Sequence, residues 1–159
     1  MLKHPIDGHI WLTAQNVAQW SNTKGDKVGS VLVTTSDVAF IDRCEFPEGV
    51  LRLDNRYEKP NRFIWLDHAE RRVIYSAARY GVATEGATIY TTWFPCVECA
   101  KAISQAGIKK VMGVEPEWEN KRWNFLEAKQ ILQESGVEIE FFKTEYQKFL
   151  YRDQFRARA

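Results

Sequence analysis

The chain has 159 residues, 45% hydrophobic and 27% charged, with 22 Lys and Arg against 21 Asp and Glu for a formal net charge of +1. That length suits one domain over residues 1–159 with its own core, and the even balance is far from the strongly basic one expected of a sequence-independent nucleic-acid binder. Three Cys do not make a disulfide framework, and no apolar run reaches signal-peptide or membrane-spanning length, so a cytoplasmic protein without membrane contact is expected.

In chain order, Ile10, Trp11, Ala14, Val17 and Ala18 recur at helical spacing over residues 10–20, and Ser21-Asn22-Thr23-Lys24-Gly25-Asp26 reads as a loop. Two short β-branched runs, 28–34 and 38–41, flank a Ser36-Asp37 turn and predict a hairpin. Residues 43–59 dissolve into charge, Pro and Gly, a long loop of the kind that lines or covers a site. A helix is expected from Asp67 or His68 to Tyr80, stopped by Gly81. A strand over 87–94 follows, bounded by Gly86 and Pro95, and then a helix from the Cys pair to Gly107. Residues 110–114 predict a strand, and 124–134 a helix with Phe125, Ala128, Ile131 and Leu132 on one stripe and Gly136 as its stop. Residues 137–142 predict a last strand, and 146–155 a docking helix or frayed end. Alternation of strands and helices in the second half implies parallel strands with helices on both faces.

Two motifs carry the chemistry: His68-Ala69-Glu70 and Pro95-Cys96-Val97-Glu98-Cys99. One imidazole and two thiolates are three ligands for a tetrahedral zinc, leaving the fourth position for water. Cys96 and Cys99 stand three apart at a helix start, so they share a face, and Pro95 suits that first turn. The positive end of the helix and the metal both favour the thiolate forms. Zinc lowers the pKa of a bound water to about 7. Glu70 is placed to take the water's proton, pass it to a ring nitrogen and help the amine leave as ammonia. Blander readings exist: Asp67 to Glu70 also matches a capping box, and Cys-x-x-Cys alone suits a redox pair or half of a structural zinc site. Taken jointly, the four residues match the pattern of zinc-dependent nucleobase deaminases.

The runs 67–81 and 85–103, continuing through Gly107-Ile108-Lys109-Lys110-Val111, closely resemble the deoxycytidylate deaminase family. Lys27-Val28-Gly29-Ser30-Val31-Leu32-Val33 and Phe46-Pro47-Glu48-Gly49-Val50 also resemble it, so the likeness covers a core of about 10–143, with 144–159 as a helix or tail. The resemblance implies a three-layer α/β/α cytidine-deaminase-like fold with a mixed five-stranded sheet. It implies one zinc ion held by His68, Cys96 and Cys99, and Glu70 as proton shuttle. Further implications are a base contact from the Ala69 backbone, a Phe94 carbonyl facing the departing amine, and a homo-oligomer, dimer or hexamer. The implied reaction takes dCMP to dUMP and ammonia.

Two departures concern recognition. The family's Gly-Tyr-Asn-Gly-x-Pro segment reads Asp42-Arg43-Cys44-Glu45-Phe46-Pro47 here, and its His-Ala-Glu-x-Asn motif has Arg72 at the last place. An amide both donates and accepts, whereas Arg only donates and Cys does neither well. Three accounts of Arg72 stand: it grips a phosphate or modified ring; loop residues Asn55, Tyr57 or Asn61 replace the missing contacts; or it forms a surface or interface ion pair. Lys24, Lys27, Lys59 and Arg62 are phosphate candidates beside the site, while Arg71, Arg79 and Lys101 read as solvated or interfacial. Trp93 is either core or a wall beside the base, Trp118 and Trp123 read as packing, and Cys44 with His4 and His9 offers a remote second zinc set. Besides dCMP, the same chemistry on a guanine-type or modified pyrimidine nucleotide or on transfer-RNA adenosine remains open, as does a zinc-stabilised nucleotide-binding pseudoenzyme. Retention of Glu70 opposes the pseudoenzyme, and the near-neutral charge opposes RNA.

Overall fold

The computed structural model describes residues 5–142. The expected tail, and His4 of the second zinc set, lie outside them. The elements run α1 (Pro5–Gln19), β1 (Gly29–Val33), β2 (Ala39–Arg43), a 3-10 turn (Asp54–Arg56), α2 (Arg62–Trp65), α3 (Ala69–Arg79), β3 (Thr88–Thr91), α4 (Val97–Gln105), β4 (Lys110–Gly113), α5 (Phe125–Glu134) and β5 (Glu138–Phe141). The strands form one sheet in the order β2-β1-β3-β4-β5. β1 is antiparallel to both neighbours, while β3, β4 and β5 are parallel.

The period-2 pattern of the strands gives the sheet two apolar faces. Leu32, Ile89 and Val111 point to one, where α3, α4 and α5 bury Val73, Ala77, Ala100, Ile103, Ala128 and Leu132. Val31, Tyr90 and Met112 point to the other, against Trp11 and Ala14 of α1 and the Phe142 ring, which stacks on Trp11 at 4.1 Å. The result is a mixed five-stranded sheet between helical layers, as the alternation of elements implies. Among the described residues no helix is long and apolar enough to cross a membrane.

Two glycines set this geometry. Gly81 takes φ +67 and lets Val82 N–H reach the Ala77 carbonyl at 2.9 Å, closing α3 with a Schellman turn. Gly29 starts β1 where α1 crosses it, so closely that a Cβ would overlap the Ala14 carbonyl oxygen. Gly29→Ala is therefore expected to cost about 1–3 kcal/mol, readable as a lowered denaturation midpoint.

The structure departs from the predicted elements in two places. α1 starts at Pro5, five residues before the periodic apolar run, because Pro suits a first helical turn. The long loop is followed by α2, a single helical turn too short to show a period. The loop itself is tied down by a bridge in which Glu45 and Asp67 exchange backbone hydrogen bonds, and by the buried Glu45 carboxylate, which accepts from Tyr57 Oη at 2.8 Å.

Candidate metal centre and active-site cavity

Both chemical motifs sit where a strand or loop turns into a helix. His68 is the N-cap of α3, in extended conformation, with its N–H bound by Asp67 Oδ1 at 2.9 Å. The same oxygen accepts from Arg71 Nε at 2.8 Å, so Asp67 fixes the backbone before the imidazole. The capping-box alternative is not realised, since no side chain caps α3 and Asp67 N–H donates to the Glu45 carbonyl instead. Cys96 is the N-cap of α4, and Cys99 lies in its first turn, fully buried.

His68 Nδ1 lies 3.5 Å from Cys96 Sγ and 3.4 Å from Cys99 Sγ, and the three ligand atoms lie within 4.8 Å of one another. Tetrahedral zinc with ordinary Zn–N and Zn–S bonds needs such pairs about 3.5–3.8 Å apart, so these residues fit the ion. Among the described residues this is the one such group that could hold a metal. His9 and Cys44 belong to none, which leaves the second zinc set without support there.

The close packing of these groups perturbs their protonation in opposite directions. The hydrogen bond from Cys99, with that to His68, pulls the Cys96 thiol down to about 4 despite burial. Cys99, on the other side of that bond and buried, is pushed well up. Burial lowers the His68 imidazole, but the bond to Cys96 and the charges of Glu70 and Cys96 outweigh it, for a net rise. Glu70 is buried, and its Oε2 has no hydrogen-bond partner. Burial raises its carboxyl to about 7. An unpartnered buried carboxylate oxygen beside a metal-ligand set is costly unless a ligand or ion satisfies it.

A cavity of about 430 Å³ opens onto this group. His68, Glu70 and Cys96 line its floor, Cys44, Trp93 and Phe94 form walls, and Arg62, Phe63, Arg122 and Trp123 also face it. Cys44 packs with Val28 and Ala69, and burial pushes its thiol up to about 12, so this wall carries no charge. The Phe94 ring is buried against Trp118 and Phe125. The Ala69 side chain is fully buried outside the cavity lining.

Arg72 also stays out of the lining. It pairs with Asp42 at 2.9 Å and donates to the Phe46 carbonyl at 2.6 Å, clamping the 42–46 segment to α3. Both partners of this ion pair lie on this chain and are largely buried. The loop candidates are engaged as well: Tyr57 with Glu45, and Asn61 Nδ2 with the Asn55 carbonyl. Of the four phosphate candidates, Arg62 lines the cavity, while Lys24 pairs with Glu58 at 2.5 Å and Lys27 binds the Gln19 carbonyl. Sequence reasoning missed Phe63 and Arg122 and read Trp123 as packing. Ligands bind beyond the carboxyl ends of parallel strands, and the loop after β4 is such a place.

A mixed sheet with a His-Cys-Cys set and a buried carboxylate at two helix starts defines the class of zinc-binding deaminase domains. The profile of the cytidine and deoxycytidylate deaminase zinc-binding region matches residues 7–115, and the chain belongs to that family. Deoxycytidylate deaminase of Enterobacteria phage T4 is 47% identical over 73 residues, 45% of this chain and 35% of its own length. An uncharacterized deaminase from the luxG 3′ region of Aliivibrio fischeri is 30% identical over 129 residues, 79% of this chain and 86% of that protein. Among solved structures, dCMP deaminase of cyanophage S-TIM5 in complex with dCMP and dUMP superposes with a TM-score of 0.72 at 27% identity, covering 89% of this chain and 100% of that one. The chain spans about a third of the length of the phage and Bacillus subtilis relatives it matches.

Proposed function

We propose that this chain is a zinc-dependent hydrolytic deaminase that converts dCMP to dUMP and ammonia, with one zinc per chain. The observation that carries the reading is the His68-Cys96-Cys99 spacing with the buried, unpartnered Glu70 Oε2 beside it. The phage relatives' names and the cyanophage protein's complex with dCMP and dUMP support the substrate.

His68, Cys96 and Cys99 would hold the ion, which when bound supplies the Lewis acidity that makes water a competent nucleophile near neutral pH. Glu70 does the proton work. Its carboxylate takes one proton from the attacking water and delivers it to N3 of the cytosine. It then takes the second from the new C4 hydroxyl and gives it to the amine, so that the C4–N bond breaks and ammonia leaves. The protons balance, and Glu70 ends as it began. In the metal-free chain burial holds this carboxyl at about 7, and the positive charge of a bound ion would favour the carboxylate form that accepts the water's proton. Cys44 and Trp93 would wall the base with neutral surface.

The test is ammonia release and dUMP formation by zinc-assayed protein across cytidine and guanine nucleosides, nucleotides and free bases. dCMP is expected to lead; a purine or a triphosphate as best substrate rejects the assignment. A homo-oligomer, dimer or hexamer, belongs to the same reading, as the resemblance of the sequence to the family implies. Light scattering after size exclusion is expected to give at least twice the 18.5 kDa chain mass; a monomer at micromolar concentration overturns it.

A further inference from the structure

One wall of the cavity carries charges that the deamination steps leave unused. Arg62, 8% exposed, packs its guanidinium against Gly25 so closely that a Cβ there would overlap it. Its Cζ lies 5.1 Å from the centre of the Phe63 ring, and Arg122 lies over the same ring at 4.5 Å. Arg122 is also 4.7 Å from the Trp123 ring, which meets the His68 imidazole edge-on at 5.8 Å. A continuous wall therefore runs from the metal-ligand set through Trp123, Arg122 and Phe63 to Arg62.

The charges facing the cavity are unevenly satisfied. Arg71 is held by Asp67 at 2.7 Å and Glu98 by Lys101 at 2.6 Å, and Asp26 and Arg62, which also face the cavity, have partners of their own. Arg122 rests on two aromatic rings, and among the described residues no ion pair joins it to a carboxylate. Its backbone is fixed: Asn120 Oδ1 accepts its N–H at 3.1 Å, and Asn124 turns the chain at φ +50 before α5 begins. Arg62 is engaged with partners of its own beneath the ring, so the exposed Arg122 guanidinium is the group left to face an anion in the cavity.

Resting on the nucleotide reading above, we infer that Arg122, backed by Arg62, binds the 5′-phosphate of the substrate and sets the preference for a nucleotide over a nucleoside. Guanidinium suits this role because its planar fork meets two phosphate oxygens at once. Arg122 sits exposed on a built turn, so its removal leaves the core and the metal ligands untouched.

The test compares zinc-loaded wild type, Arg122→Ala and Arg122→Lys in calorimetric binding of dUMP and deoxyuridine, alongside kcat and KM for dCMP. Arg122→Ala is expected to weaken dUMP binding about 10- to 100-fold, the usual span for a charge-assisted contact, with deoxyuridine unaffected. KM for dCMP should rise by a similar factor with kcat little changed, and Arg122→Lys should recover part of the loss. Undiminished dUMP binding by Arg122→Ala overturns the inference, as does a wild type that holds dUMP no better than deoxyuridine. Arg122-dependent dUMP binding without dCMP turnover would sink the proposed reaction and keep the phosphate site. Turnover of dCMP that ignores Arg122 would do the reverse.

Discussion

Replacing Glu70 by Gln is expected to lower kcat by about 10²- to 10⁴-fold while leaving zinc content unchanged, because the amide keeps the shape and loses the proton shuttle. Stability should move the opposite way. In the metal-free protein Glu70 is buried with one oxygen unpartnered, and burial raises its carboxyl from 4.5 to about 7. A raised carboxyl means that the folded state keeps the proton longer than the unfolded chain. The penalty is therefore absent below about pH 4.5, grows as pH rises towards 7, and is constant above that, at on the order of 3 kcal/mol. Cys96 works against this slope, since its thiol is lowered to about 4 and gains stability over an overlapping range. The difference between wild type and variant removes that shared contribution to first order. Chemical denaturation of the two metal-free proteins should coincide near pH 4 and separate by pH 8, with Glu70→Gln the more stable. Full turnover in the variant, or equal stability at pH 8, removes Glu70 from the role assigned to it.

What the sequence made legible was whatever depended on local pattern. α3, β3 and α4 lie within a few residues of their predicted positions because capping, Gly stops and period-2 burial act within a few residues of chain. The grouping of the candidate ligands was legible for the same reason: Cys96 and Cys99 stand at the start of one helix, and His68 stands at the other helix start. Contacts made across the fold were hidden. That Arg72 pairs with Asp42 depended on β2 lying beside α3, and no spacing reports that. Arg62 and Arg122 stand 60 residues apart and meet on Phe63 only once α2 and the loop after β4 close the same cavity. Glu45 read as one more loop charge, yet it is fully buried and accepts a hydrogen bond from Tyr57.

Uptake of zinc by the metal-free protein is expected to release at least about one proton at pH 7, because the ligands must bind deprotonated. The pair of thiols supplies the first. Cys96 is already ionised well below neutrality, whereas Cys99 keeps its proton until a cation displaces it. The imidazole supplies a fraction of the second, since its net shift is upward and a ligand nitrogen cannot keep its proton. Calorimetry in buffers of different ionisation enthalpy measures the total. Cys99→Ser should bring zinc from about one per chain towards zero, while Cys44→Ala should keep it, because Cys44 lies outside the ligand group. Stability follows the metal: a ligand present at 100 times its dissociation constant stabilises the folded state by about 2.7 kcal/mol, so a chelator should lower the melting temperature of wild type and leave that of Cys99→Ser unmoved. Zinc bound without proton release near pH 7, or retained by Cys99→Ser, would place the ion on other residues and take Glu70 out of reach of the chemistry.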